Sequence, residues 1–245
     1  MAASSKAAMQ ALGMLSAPLI AGLSTLIGWQ NMFFVVVVST LWVLLVRTPD
    51  TPPPGKGDPT DSRRIRWWPI IVHMLSCLLI GFGLIGTSMI TSLRAGDDFG
   101  LDAPSRGVII MCGGLAAFAL SKTIGRLTDR WGSRTILQAS ILAGIAALVM
   151  LPLAPVLGLL TVGWAVATLA AQGMQMSINL SVLRSAGGTS LISTVQAFRF
   201  YGSSLTPVIL LPMYTVSITW AFWVPALALA VALLLQHTTR TSENP

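Results

Sequence analysis

Apolar positions along this chain fall in long, unbroken runs rather than in alternating or one-sided patterns. Eight runs stand out, near residues 8–28, 31–46, 68–92, 105–123, 135–153, 156–177, 190–213 and 219–236. A helix needs about 20 apolar residues to cross a bilayer core, and most of the runs reach that length. None alternates apolar and polar residues as a barrel strand does, so the pattern predicts helices. The second run, NMFFVVVVSTLWVLLV, is short but uninterrupted. Pro152 and Pro155 mark a tight turn between the fifth and sixth. The longest polar stretch, RTPDTPPPGKGDPTDSRRIRW at 47–67, reads as a flexible linker. It divides the chain into a two-span part, 1–46, and a six-span part, 68–245.

Composition turns this pattern into a class. Hydrophobic residues make up 54% of the chain and charged residues 9%, against about 25% charged in ordinary soluble domains. So little charge cannot cover a water-facing surface, and the expected solvent is the lipid bilayer. Lys6 followed by an apolar run also opens the way a secretory signal does. That run, however, has no early A-x-A exit to a soluble domain and leads directly into another span. The net charge of +7 does not point to nucleic acid, because the basic residues sit in short loops between apolar runs. With the linker placed in the cytoplasm, twelve of the 15 basic residues fall on that side, only Arg94 and Arg106 outside, and Arg199 within a span. Both termini are then expected in the cytoplasm of a multi-pass plasma or inner membrane protein. Cys77 and Cys112 lie inside apolar runs and read as packing residues rather than a disulfide.

The loop between the fourth and fifth spans reads GRLTDRWGSRTIL. Gly125 and Gly132 permit a tight turn and close helix approach. Asp129 suits the positive end of a neighbouring helix or a pairing with Arg130 or Arg134. On charge alone, a basic loop obeying the positive-inside rule accounts for it equally well. The spacing resembles the G-x-x-x-D-R-x-G-x-R loop signature of the major facilitator superfamily, filled by Gly125, Asp129, Arg130, Gly132 and Arg134, with Thr135 in place of a second basic residue. The resemblance implies a gating loop that latches one conformer of a rocking transporter.

A second likeness lies in GMLSAPLIAG, residues 13–22. It resembles the antiporter motif G-x-x-x-G-P-x-x-G-G of the same family: Gly13, Pro18 and Gly22 match, and Ala17 and Ala21 replace glycines with small residues. An ordinary small-residue packing face is the competing reading. GMLSAP and GSSLTP, the latter at 202–207, share G-x-x-x-x-P, and aromatic turns follow both copies. Parallel repeats of this kind are expected in such transporters. In the family's frame, the linker and loop signature place 68–245 as the second six-helix bundle and 1–46 as the last two helices of the first. The expected fold is an all-α integral membrane protein with part of the major-facilitator fold, eight transmembrane helices in all. Four further spans are expected upstream of Met1, and the 245-residue product is expected not to transport alone.

Several residues within spans carry chemistry. Thr161, Trp164, Thr168, Gln172, Gln175 and Asn179 recur at three- and four-residue steps in the sixth span, forming a polar stripe on one helix face. A cavity wall and an interhelical hydrogen-bonded seam fit this stripe equally. Trp164, Thr168, Gln172 and Gln175, with Thr87 in the third span and Gln196 and Arg199 in the seventh, are the substrate-cavity candidates. Arg199 could bind an anionic group, neutralise a carboxylate, or snorkel to the cytoplasmic face. His73 has the titration range of a proton carrier but also fits a packed or solvated histidine. All eight acids lie outside the spans.

These features suit a secondary transporter of small molecules. By resemblance they favour proton-coupled efflux through alternating access, with the proton as coupling ion and no obligate protein partner. No carboxylate pair, metal-spaced His/Cys cluster, nucleophile–base pairing or phosphate-binding loop is present in the sequence, so neither an enzyme nor a metal or organic cofactor is expected. The alternative is a non-transporting membrane interaction protein, docking a partner through its first two spans, or an inactive remnant.

Overall fold

The computed structural model describes residues 20–22, 24–26, 28–45, 67–185 and 188–241, all but a few turns of them helical. Among the described residues from 32 onward, seven helices follow one another: α1 (Met32–Leu45), α2 (Trp67–Asp97), α3 (Ala103–Trp131), α4 (Ser133–Met150), α5 (Leu157–Leu183), α6 (Gly188–Val216) and α7 (Ile218–Thr241). A helix covers each of the last six apolar runs. Among the described residues, α2, α3, α4 with its terminal turn, α5 and Ile218–Gln236 are long and apolar enough to cross a membrane. The 29-residue α6 is long enough but more polar, and the 14-residue α1 is shorter than a span requires. The first run and the linker lie largely outside the described residues.

Short, chemically specified turns join the helices. Asp102 caps α3 by accepting a hydrogen bond from the Ser105 N–H at 3.2 Å, and Pro104 stands in the first turn, where a missing N–H costs nothing. Gly132 separates α3 from α4 with φ +84°, a left-handed conformation suited to glycine. Pro152 lies in a 3-10 turn after α4, and Ser217 alone separates α6 from α7.

Helices α2 to α7 pack around one apolar core. α4 lies along α5 and α7, α3 along α5, and α2 along α6. Phe222, Met174, Ile178, Leu148, Ile141 and Leu84 are fully buried at its centre. The hydroxyls of Ser76, Thr91 and Thr128 are returned to carbonyls one turn back in their own helices, so these polar residues enter the core without losing a partner.

The helix α2 is not regular. Gly81–Ile85 form a π-helical turn closed by the Gly86 N–H onto the Gly81 carbonyl at 2.9 Å. At this point α2 crosses α6 at the closest approach glycine allows. A Cβ at Gly81 would overlap the Arg199 carbonyl, one at Gly202 the Leu78 carbonyl, and one at Gly86 the Thr206 side chain. Thr206 Oγ1 in turn donates to the Phe82 carbonyl within the π-turn, at 3.3 Å.

Candidate functional site

From the second half of the π-turn onward, α2 borders a cavity of about 160 Å³. Leu84, Ile85 and Ser88 of α2 form one side, and Ile110, Gly114 and Ala117 of α3 a second. Trp164, Thr168, Ala171, Gln172 and Gln175 of α5 form the third. Four of the polar positions read as a stripe in the sixth span therefore share one wall, because three- and four-residue steps keep them on one face of α5.

Each polar wall residue is held by a specific contact. Trp164, only 2% exposed, donates through Nε1 to the Ile110 carbonyl at 3.1 Å. Gly113 makes room for it: a Cβ there would stand 2.5 Å from the indole nitrogen. Thr168 Oγ1 bonds to the Trp164 carbonyl at 2.7 Å, and Ser88 Oγ to the Ile85 carbonyl at 2.8 Å. Gln175 Nε2 donates to Gln196 Oε1 at 3.2 Å, and Gln196 Nε2 donates onward to Asn179 Oδ1. The amide of α6 is thus inserted between two amides one turn apart on α5.

The other candidates lie elsewhere. Gln196 acts behind the wall, through Gln175. Thr87 is fully buried and spends its hydroxyl on the Gly83 and Leu84 carbonyls of the π-turn at 3.1 and 2.9 Å. Arg199 is 5% exposed, so it does not snorkel, and it does not line the cavity. Its guanidinium carbon lies 4.9 Å from the Phe200 ring centroid, and its Nε and one terminal nitrogen have no hydrogen-bond partner among the described residues. His73 is half-buried on α2, away from the cavity lining and one turn before Ser76.

In the loop signature, Asp129 and Arg130 are exposed at the end of α3, and neither makes an ion pair among the described residues. Arg134 reaches across to α7, where a terminal nitrogen lies 3.4 Å from the Gln236 carbonyl. Gly125 is half-buried, and a Cβ on it would stand 3.1 Å from the Met176 methyl. Of the small-residue motif, Gly13, Ala17 and Pro18 lie outside the described residues. Ala21 is exposed, whereas Gly22 is buried with its Cα against the start of α3: a Cβ there would stand 3.1 Å from the Ala103 carbonyl.

Sequence reasoning missed three things. The π-turn was signalled only by the density of Gly81, Gly83 and Gly86 within one span. Ser88 and the α3 wall carry no pattern of their own. Arg94, counted with the outer loop charges, is 5% exposed and bridges Asp98 Oδ2 at 2.8 Å and the Ala154 carbonyl at 2.9 Å, tying α2 to the turn before α5.

No curated protein matches the chain. A family model, that of the Major Facilitator Superfamily, matches residues 1–209. The apolar helices, the cavity between them and this match over most of the chain together establish a multi-pass membrane protein of the transporter class: the chain belongs to the major facilitator superfamily.

Proposed function

We propose that this protein is a secondary active transporter that expels small molecules by proton-coupled alternating access. The cavity between α2, α3 and α5 would form part of the substrate path. The observation that carries the reading is the gathering of Trp164, Thr168, Gln172 and Gln175 around one cavity in a bundle of this family. Polar side chains in a bilayer are costly unless they meet a cavity or a partner helix, and here they meet a cavity. The π-turn in α2 adds a place where that helix can bend, since such turns mark functional positions in helices. Gly22 against α3 supports a second element: a close contact between the small-residue motif and the helix that precedes the loop signature. The proposed membrane is the plasma or inner membrane, with the Gly132 end of the bundle in the cytoplasm by the distribution of Lys and Arg.

The test is energised efflux. Cells lacking their own efflux pumps, expressing the gene with its native upstream sequence, are loaded with radiolabelled p-cresol, a neutral ring small enough for the cavity. Expected is efflux above that of vector cells, abolished by a protonophore. Efflux no faster than in vector cells, or efflux indifferent to the protonophore, contradicts proton-coupled export.

A second reading has its own observation. On α1, Phe34, Trp42 and Leu45 are 69–79% exposed and face no described helix. Such a helix fits lipid, and it also fits a partner protein docking in the membrane. Crosslinking from α1 that yields one stoichiometric protein partner would favour the interaction role over transport.

A further inference from the structure

The cavity wall carries a consistent hydrogen-bond polarity. The indole N–H of Trp164 is spent on the Ile110 carbonyl, and the hydroxyls of Thr168 and Ser88 are spent on carbonyls of their own helices. Gln175 turns its amide nitrogen onto Gln196, and its Oε1 accepts no hydrogen bond among the described residues. Gln196 can hold that nitrogen because its own amide is anchored at the other end by Asn179. What remains on Ser88, Thr168 and Gln175 is acceptor capacity, since a hydroxyl that has donated its proton keeps lone pairs. Gln172, with no hydrogen bond among the described residues, can offer either end of its amide. None of the residues lining the cavity is ionisable in the working pH range.

From this we propose that the cavity selects an uncharged ring or similarly compact apolar group bearing an N–H or O–H donor, and that Gln196 is the positioning residue that sets this preference. The proposal rests on the reading of the cavity as a substrate site and names its ligand class. The size fits: a cavity of about 150 Å³ holds one benzene ring, and this one measures about 160 Å³. A carboxylate is disfavoured on two counts. It finds no cation on the wall, and it brings lone pairs against lone pairs. A ring without a donor enters but leaves Gln175 Oε1 unsatisfied, at a cost in affinity.

Three para-substituted toluenes separate these cases: p-cresol with a donor, 4-methylanisole without one, and 4-methylbenzoate with a charge. Membranes carrying the full chain with Cys77→Ser, Cys112→Ser and Ala171→Cys place one thiol on the cavity wall. Its alkylation rate by a small maleimide is then measured against probe concentration. Expected is half-protection by p-cresol at a concentration about fivefold below that for 4-methylanisole, with no protection by 4-methylbenzoate. Gln175→Leu should erase the p-cresol advantage, Gln175→Glu should keep it, and Gln196→Leu should reduce it, all with 4-methylanisole protection unchanged. Unchanged 4-methylanisole protection shows that the cavity itself is intact in each variant. Equal protection by the two neutral probes in the parent, protection by 4-methylbenzoate, a full p-cresol advantage in Gln196→Leu, or a thiol that p-cresol never protects would each overturn the proposal. Absence of efflux with this pattern intact would count against the transport reading alone.

Discussion

Gln236 of α7 donates through Nε2 to the hydroxyl of Ser76 on α2 at 2.8 Å, and both residues are buried. Ser76 donates its own O–H to the Val72 carbonyl at 2.7 Å, so the two helices share a continuous polar link inside the core. The carbonyl of the same Gln236 faces Arg134, which ties the link to the helix that follows the signature loop. Replacing Gln236 with leucine should cost about 0.6–2 kcal/mol, the range for side-chain hydrogen bonds between membrane helices. Thermal unfolding in detergent should show a lower midpoint. The neighbouring Cys77, 3% exposed in the parent, should react faster with maleimide. An unchanged midpoint and labelling rate would show the link to be dispensable.

The α2–α6 crossing should be intolerant of single methyl groups. Gly86→Ala places a Cβ on the Thr206 side chain and should destabilise by about 1–3 kcal/mol or more, as overpacking does. Gly86→Ala with Thr206→Gly moves the bulk from one helix to the other and should recover most of that loss. Gly81→Ala meets the backbone carbonyl of Arg199, so no side-chain change on α6 should rescue it. Size-exclusion profiles and unfolding midpoints for the three variants check this.

At the signature loop, Gly132→Ala forces a side chain into φ +84°, ψ 149°, a region essentially reserved for glycine, at an expected cost of about 1–3 kcal/mol. Gly132→Asn should cost about as much, because asparagine's tolerance of positive φ is confined to the left-handed helical region, and ψ here is 149°. A Cβ at this position meets no atom within 4 Å, so any loss reports backbone strain rather than collision. Midpoints equal to the parent's for both variants would remove strain as the cause.

The Asp102 cap makes a pH prediction. Hydrogen bonds from the Ser105 hydroxyl and N–H hold the Asp102 carboxyl below its ordinary range. A folded-state pKa depressed below the unfolded value contributes stability that is fully present above the unfolded pKa and is lost as pH falls through the folded one. The cap should therefore be constant near neutrality and fade only in acid, below about pH 4. Asp102→Asn keeps the capping geometry, and its unfolding midpoint should fall less than that of the parent over the acid range. Parallel acid profiles for the two proteins would contradict this role.

Much of this was legible in the residues. Apolar runs of this length read as buried or lipid-facing helices, so all six later helices were placed, with their starts within two residues; the more polar ends of α2, α3, α5 and α7 run five to eight residues past the apolar run. The α5 stripe was legible because a fixed step on a helix means one face, whatever packs against it. Where that face points is a tertiary fact, and it needed α2 and α3 in place. Thr87 and Arg199 show the limit from the other side. Each is polar within a span, but the π-turn claims the first, and the close crossing at Gly81 and Gly202 buries the second away from the cavity. Arg94 looked like a loop charge because the run ends there; that it folds back onto the Ala154 carbonyl depends on a turn sixty residues away.

The central claim, that the α2–α3–α5 cavity lies on the substrate path, is tested most directly by filling it. Ala171→Trp places an indole in the cavity, whereas Val162→Trp, on the same helix but 59% exposed, places one outside the core. Both are expressed with the native upstream sequence in efflux-deficient cells, matched for membrane level, and followed by protonophore-sensitive efflux of radiolabelled p-cresol. The account predicts that Ala171→Trp abolishes efflux and Val162→Trp leaves it near that of the parent. Efflux that survives Ala171→Trp unchanged would contradict it.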